Sequence, residues 1–187
     1  MCFLSTRTYY HCLTNASEKA DDGKSYVNPP AAHDSEAYES FTSPVLNDSR
    51  GGFDIHIYFL QTSEYETKYA SELWERIRRE FPELRIYKLW DKPIGPHPIA
   101  MFEVNVGSKC SCWSISVWLS TSQVFTPRQF GAFIPWLVIN RGPLSALIHP
   151  NTGNDYRDHS QRATWMGQPI PLDLRGLKEA LSKKEGH

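Results

Sequence analysis

Seven histidines occur in the chain of 187 residues, and four of them lie in segments patterned for ordered structure. His11, His33 and His187 fall in the terminal stretches and are set aside. His56 lies in GFDIHIYF (52–59), where Phe53, Ile55, Ile57 and Phe59 alternate with Asp54, His56 and Tyr58. Side chains alternate across a strand, so His56 stands with Asp54 and Tyr58, opposite the apolar face. His97 opens the segment that continues as IAMFEVN (99–105). There Ala100, Phe102 and Val104 form the apolar set, and His97, Ile99, Met101 and Glu103 share the other face. His149 ends LSALIHP (144–150), with Ser145 and Leu147 on its side and Leu144, Ala146 and Ile148 on the other. Three predicted strands thus each place a histidine opposite their apolar face.

Imidazole is a common ligand of iron, zinc, copper and nickel. A site with few protein ligands and open positions suits Fe(II), which must hold a substrate and oxygen together. His56, His97 and His149 are therefore the expected metal ligands. Glu103 is placed either to complete a two-His, one-carboxylate set or to stand as an ordinary surface carboxylate. Each histidine also has the plainer reading of a structural hydrogen-bonder. His159 lies beyond the last strand in NTGNDYRDHSQRATWMG, flanked by Asp155 and Asp158. It suits acid/base work beside a metal better than ligation; its plain alternative is a solvated loop residue.

The elements that must position these residues follow from periodicity. Ser63 and Glu66 form a capping box, and Tyr65, Tyr69, Leu73 and Ile77, with Ala70, Trp74 and Phe81, recur at helical spacing up to Pro82. LRIYKLW (84–90) reads as a second strand and DKPIGPHP (91–98) as a loop. Thr126, Pro127 and Gln129 open a second helix, with a kink expected at Pro135. The order β-α-β-β-α-β has a compact solution in an antiparallel four-stranded sheet with both helices on one face, an α+β, ferredoxin-like arrangement. It puts the first strand between the third and fourth and leaves the outer sheet face open. A homodimer through that face or a sheet edge is expected, with a fold-back of 155–174 as the alternative cover.

The formal net charge of -1 gives no basic excess for nucleic acid or an anionic membrane surface. No apolar stretch is long enough to span a bilayer. Cys2 and Cys12 sit near the start, and Cys110 and Cys112 form a CxC too tight for a zinc knuckle. Free thiols in a reducing, cytoplasmic setting are expected. Residues 1–50 are polar and aperiodic and read as a disordered tail, 51–175 as the folded domain, and 176–187 as a C-terminal tail. The stretch 106–124 is an atypical insert. It reads as an extra hairpin, because SISVWLS alternates, or as a retained intron translated in frame, because its removal would join EVN to FTPRQF.

DIHIYF, RIRREFPELRIYKLWDKPIGPHPIAMFEVN and FTPRQFGAFIPWLVINRGPLSALIHPNTGNDYRDHSQRATWMGQPIPLDL together resemble the microbial DOPA 4,5-dioxygenase family. The phrases GPHP, FEVN, NRGPLS and DH carry the likeness from about 53 to 174, interrupted at 106–124. The resemblance implies small ferredoxin-like, often dimeric proteins. It also implies a non-haem Fe(II) extradiol dioxygenase that uses O₂ to open a catechol such as DOPA to a muconic semialdehyde. On this likeness His159 takes a proton from the catechol and later returns one. Arg141, Tyr58, Trp165 and Glu103 are the expected substrate-binding residues. For Arg141 a helix-end role is the alternative, and for the two aromatics a place in the core. Two other functions are compatible with the same fold: a non-catalytic dimeric ligand-binding domain, and a relative acting on another secondary metabolite.

Overall fold

The computed structural model of the chain describes residues 19–29, 31–48, 51–107 and 127–185. The chain divides into two compact units, 1–35 and 36–187. In the first, Lys19 and Tyr26 form an antiparallel bridge. Its turn is held by Asp22, whose carboxylate accepts from the Lys24 and Ser25 amides, each at 2.8 Å.

The second unit is built on a five-stranded antiparallel sheet. Its strands are β1 (Phe53–Tyr58), β2 (Arg85–Ile86), β3 (Met101–Val106), β4 (Ser145–Pro150) and β5 (Thr164–Met166). They lie side by side in the order β2-β3-β1-β4-β5. The expected sheet had four strands; β5, from the segment after β4, extends it at the β4 edge. Its α-helices among the described residues are α1 (Glu64–Glu80), α2 (Pro127–Asn140), α3 (Asp155–Asp158) and α4 (Arg175–Glu185), and a 3-10 turn spans Glu36–Tyr38. Among the described residues no helix is long and apolar enough to cross a membrane.

Period-two alternation in β1 organises both faces. Ile55 and Ile57, with Phe102, Val104, Ala146 and Ile148 of the neighbouring strands, pack against Ala70, Leu73 and Ile77 of α1 and Phe133 and Leu137 of α2. The opposite face is not open, as the four-stranded reading expected. Tyr58, Met101 and Leu147 are buried there under Trp90, Ile99, Ala163, Trp165, Ile170 and Leu172. Apolar side chains on the outer face draw the flanking loops down over it, and Ala163, Trp165, Ile170 and Leu172 supply the fold-back of 155–174 that was the alternative cover.

Several boundaries differ from the sequence reading for local reasons. Ser63 caps α1 by accepting from the Glu66 amide at 3.3 Å, but the Glu66 carboxylate reaches past the cap residue to the Leu60 amide at 2.8 Å. β2 is two residues long, not seven. Arg85 and Ile86 pair with Asn105 and Val104, yet Trp90 pairs with Met101, one residue out of that register. The extra residue is a bulge that interrupts the ladder. Part of the expected tail 1–50 is packed: Phe41 meets Phe53 and Phe130 edge-on, and the Leu46 amide donates to the Asn151 carbonyl at 2.8 Å. The expected C-terminal tail from 176 is helical. Leu174, Leu177 and Leu181 make a half-buried stripe at helical spacing, and Lys183 and Lys184 suit the negative end of the helix dipole. Thr126, Cys2, Cys12, Cys110, Cys112 and nearly all of the insert 106–124 lie outside the described residues.

The core term is testable by contrast. Ile57 is 0% exposed and Ile139 on α2 is 79% exposed. Ile57→Ala is expected to lower the free energy of unfolding by about 2–5 kcal/mol, and Ile139→Ala to change it by less than about 0.5 kcal/mol. Urea denaturation followed by far-UV circular dichroism reads both.

Candidate metal centre

Four imidazoles meet over the outer face of the sheet. His56 projects from the middle of β1 and His149 from the end of β4, one step apart diagonally, since Asp54 is the residue directly opposite His149. His97 is not on a strand: β3 begins at Met101, and His97 sits in a tight turn closed by reciprocal main-chain bonds with Ile94 at 3.0 and 3.1 Å. Its face is nevertheless the expected one. His159 follows α3 as its C-cap. The His56 ring centroid lies 4.2 Å from that of His97, 5.1 Å from His149 and 5.9 Å from His159. His149 and His159 are 4.0 Å apart, His97 and His159 5.7 Å.

Hydrogen bonding separates the four into three and one. His56 Nε2 and His149 Nε2 are 3.0 Å apart. His149 Nδ1 lies 3.1 Å from the Pro150 carbonyl, and His159 Nδ1 lies 2.8 Å from the Asp155 carbonyl. A carbonyl only accepts, so both Nδ1 atoms carry the proton and both Nε2 atoms offer a lone pair in the neutral ring. His97 instead spends Nδ1 on the Tyr58 hydroxyl at 2.7 Å. One ring nitrogen each from His56, His149 and His159 lie within 4.8 Å of one another. Sequence parity chose His56, His97 and His149; the converging set has His159 in place of His97.

Burial sets the charge of the cluster. Desolvation, reinforced by the neighbouring rings, pushes His56 well below the ordinary imidazole value, and His97 down to about 3. His149 and His159 are lowered as well, again chiefly by desolvation. All four are neutral at pH 7, the form in which imidazole ligates a metal. Desolvation and the nearby Asp54 raise Glu103 to about 7. Its Oε2 is 3.8 Å from His56 Nδ1. With His56 uncharged, that approach is not an ion pair.

The other expected residues divide. Tyr58 stacks on Trp165 at 5.5 Å between centroids, and desolvation raises the Tyr58 phenol above its ordinary value, so it stays a neutral hydroxyl. The two rings form an aromatic wall next to His97. Arg141 is engaged with main chain, donating from Nη1 to the Leu144 carbonyl at 2.5 Å and the Gly142 carbonyl at 3.3 Å. Those contacts brace the turn between α2 and β4. Asp158, treated in the sequence only as a flanking residue, is 1% exposed. Its carboxylate accepts from the Thr152 amide at 2.9 Å, the Thr152 hydroxyl at 2.7 Å and Arg162 Nη1 at 2.9 Å. It clamps the chain on either side of His159, and the adjacent DH pair was the signal for it. Asp54 was a second such signal, sharing the parity of His56; Asn105 Nδ2 donates to it at 2.5 Å.

The donor set fits a metal ion. Ligands at right angles and about 2.1 Å from an ion are about 3 Å apart, which is the spacing of the His56 and His149 Nε2 atoms. His149 and His159 already have the distal nitrogen fixed by an oxygen acceptor, the usual support of a ligating histidine.

The family model for the Dopa 4,5-dioxygenase family matches residues 53–124 and 115–176, two segments that overlap inside the atypical insert. An uncharacterized 21.2 kDa protein of Botryotinia fuckeliana is 53% identical over 186 residues, covering 96% of this chain and 92% of that protein. The DOPA 4,5-dioxygenase of Amanita muscaria is 31% identical over 144 residues, covering 74% of this chain and 55% of that protein. A crystal structure from Nostoc punctiforme, named as a "putative dioxygenase", superposes with a TM-score of 0.54 at 31% identity, covering 69% of this chain and 92% of that one. With a cluster of neutral imidazoles at its centre and a family match that runs from β1 to the start of α4, the chain belongs to the Dopa 4,5-dioxygenase family.

Proposed function

We propose that the protein is an iron-dependent extradiol dioxygenase that opens the ring of a catechol such as DOPA. The observation that carries the reading is the convergence of ring nitrogens from His56, His149 and His159 within 4.8 Å, in a chain of dioxygenase kinship. Fe(II) held by these three would supply Lewis-acid binding of the catechol oxygens and of O₂. The remaining roles belong to the chain. Trp165, backed by the buried Tyr58 ring on which it stacks, offers a flat wall for the aromatic ring. Burial keeps water from the cluster.

His97 is the proton carrier in this reading, in place of His159. Its Nδ1 is held by the Tyr58 hydroxyl at 2.7 Å. A phenol both donates and accepts, so the pair is satisfied with the imidazole proton on either nitrogen. Nε2 can then take a proton from a catechol hydroxyl and give one back without breaking the Tyr58 contact.

Anaerobic reconstitution with Fe(II), followed by oxygen uptake against a panel of catechols and matched monophenols, tests the reaction. Uptake with catechols alone is expected; none with any catechol overturns the proposal. The roles are tested by two variants. His159→Gln is expected to lose bound iron by elemental analysis. His97→Gln is expected to retain it and to lose turnover by about 10²–10⁴-fold. The reverse pattern would restore the assignment that strand parity alone favours.

A pH effect on the metal-free protein follows from the buried rings. A histidine held below its unfolded value of 6.5 binds fewer protons folded than unfolded, so its contribution is complete above pH 6.5 and is lost as pH falls. For His97 the window runs from 6.5 to about 3, at about 1.4 kcal/mol per pH unit. Glu103 acts oppositely: raised from 4.5 to about 7, it gains stability as pH falls through that window. Four lowered imidazoles outweigh it. The melting temperature of the metal-free protein is expected to fall between pH 7.5 and 5.5, as read by calorimetry, and a rise would contradict the neutral cluster.

A further inference from the structure

His56 differs from the other two converging histidines in one respect. His149 and His159 each have an oxygen on Nδ1, at 3.1 and 2.8 Å. His56 is 4% exposed, and among the described residues its buried Nδ1 has no hydrogen-bond partner. The polar atom facing it is Oε2 of Glu103 at 3.8 Å. Glu103 is directly opposite His56 in the β1–β3 pairing, so the two side chains leave the sheet side by side on the same face. The Glu103 side chain keeps 20% of its surface exposed, which leaves it room to rotate about its long stem. A shift of about 1 Å would bring Oε2 to hydrogen-bond distance.

We propose that Glu103 is the positioning residue of His56: its carboxylate accepts the Nδ1 proton and thereby turns the Nε2 lone pair toward His149 and His159. This rests on the metal reading above and deepens it. In the metal-free cluster the proton between His56 Nε2 and His149 Nε2 must sit on His56, because His149 carries its own on Nδ1. His56 Nδ1 is then bare and has no use for a carboxylate. Ligation through Nε2 requires the other tautomer, with the proton on Nδ1. Glu103 is where that proton finds an acceptor. The arrangement is a carboxylate–histidine pair supporting a ligand, assembled across two strands by register alone. It assigns Glu103 to the ligand's support and away from direct ligation or substrate contact.

Cobalt(II), titrated into the metal-free protein and followed by its visible absorption, is the probe. The wild-type chain, Glu103→Ala and Glu103→Gln are compared, with circular dichroism confirming that each is folded. Glu103→Ala is expected to bind cobalt about 10–100-fold more weakly. Glu103→Gln, whose amide oxygen still accepts from Nδ1, is expected to recover most of that loss. With the zinc-loaded protein, nitrogen-15 NMR of the histidines should show His56 protonated at Nδ1 in the wild-type and Gln chains. Equal affinity of Glu103→Ala and wild type overturns the positioning role, as does a Gln variant no better than Ala. A wild-type chain that takes up no cobalt overturns the metal reading itself, and the positioning role with it.

Discussion

An imidazole removed from water must be neutral and must place both of its nitrogens, one as donor and one as acceptor. Four such rings packed against one another multiply that demand, because none can relieve its neighbour by charging. Much of the outer half of this molecule answers it. The Pro150 and Asp155 carbonyls take the Nδ1 protons of His149 and His159, and the Tyr58 hydroxyl engages His97. The loops that carry His97 and His159 are fixed in turn. The Asp173 amide donates to the Pro96 carbonyl at 2.9 Å, and Asp158 clasps Thr152 and Arg162 around the α3 turn. Asp158 is itself a buried charge, tolerable because a guanidinium and two further donors meet it. The polar network and the apolar cap over Tyr58, Met101 and Leu147 are therefore one structure: the cap excludes the water that the network replaces.

How much of this is legible in the sequence depends on the range of the interaction. The alternation of β1 is local and can be read directly; it places Ile55 and Ile57 against the helices and His56 and Tyr58 on the far side. The same parity holds for Glu103 and His149. Strand order follows from connection rules, and β1 does lie between β3 and β4. The fifth strand was not legible. Thr164-Trp165-Met166 is three residues long, and its pairing opposite Ile148, Leu147 and Ala146 is a long-range choice that no short periodicity announces. Nor was the end of β2, where a bulge before Trp90 frees the chain to turn into the His97 loop.

The hydrogen-bond partners of the four histidines were illegible for a sharper reason. Parity says which face a side chain leaves from; it says nothing of which ring nitrogen is spoken for. His97 and His149 are equivalent by parity. They differ because one meets a phenol and the other a main-chain carbonyl. That difference arises from Tyr58 reaching across to a turn thirty-nine positions away, and from the Pro150 carbonyl beside its own neighbour. His159 lies outside any strand, so parity cannot speak to it at all. Its place is set by a helical turn of four residues whose geometry depends on the buried Asp158.

Tautomer, then, is the level at which this site is specified. A carbonyl acceptor holds the ring proton at Nδ1 permanently, so His149 and His159 present a lone pair at Nε2 whatever occupies the site. A hydroxyl partner leaves the choice open, and His97 keeps the freedom to carry a proton at either nitrogen. Three ring environments on one sheet face therefore correspond to three kinds of behaviour. Two rings are set as donors of a lone pair, one is free to exchange a proton, and His56, with its Nδ1 facing a carboxyl, changes tautomer when its Nε2 is taken. No difference in the imidazole itself separates them. The division comes from the oxygen each ring meets on its far side, two of them main-chain atoms that no substitution of side chains at those positions would remove.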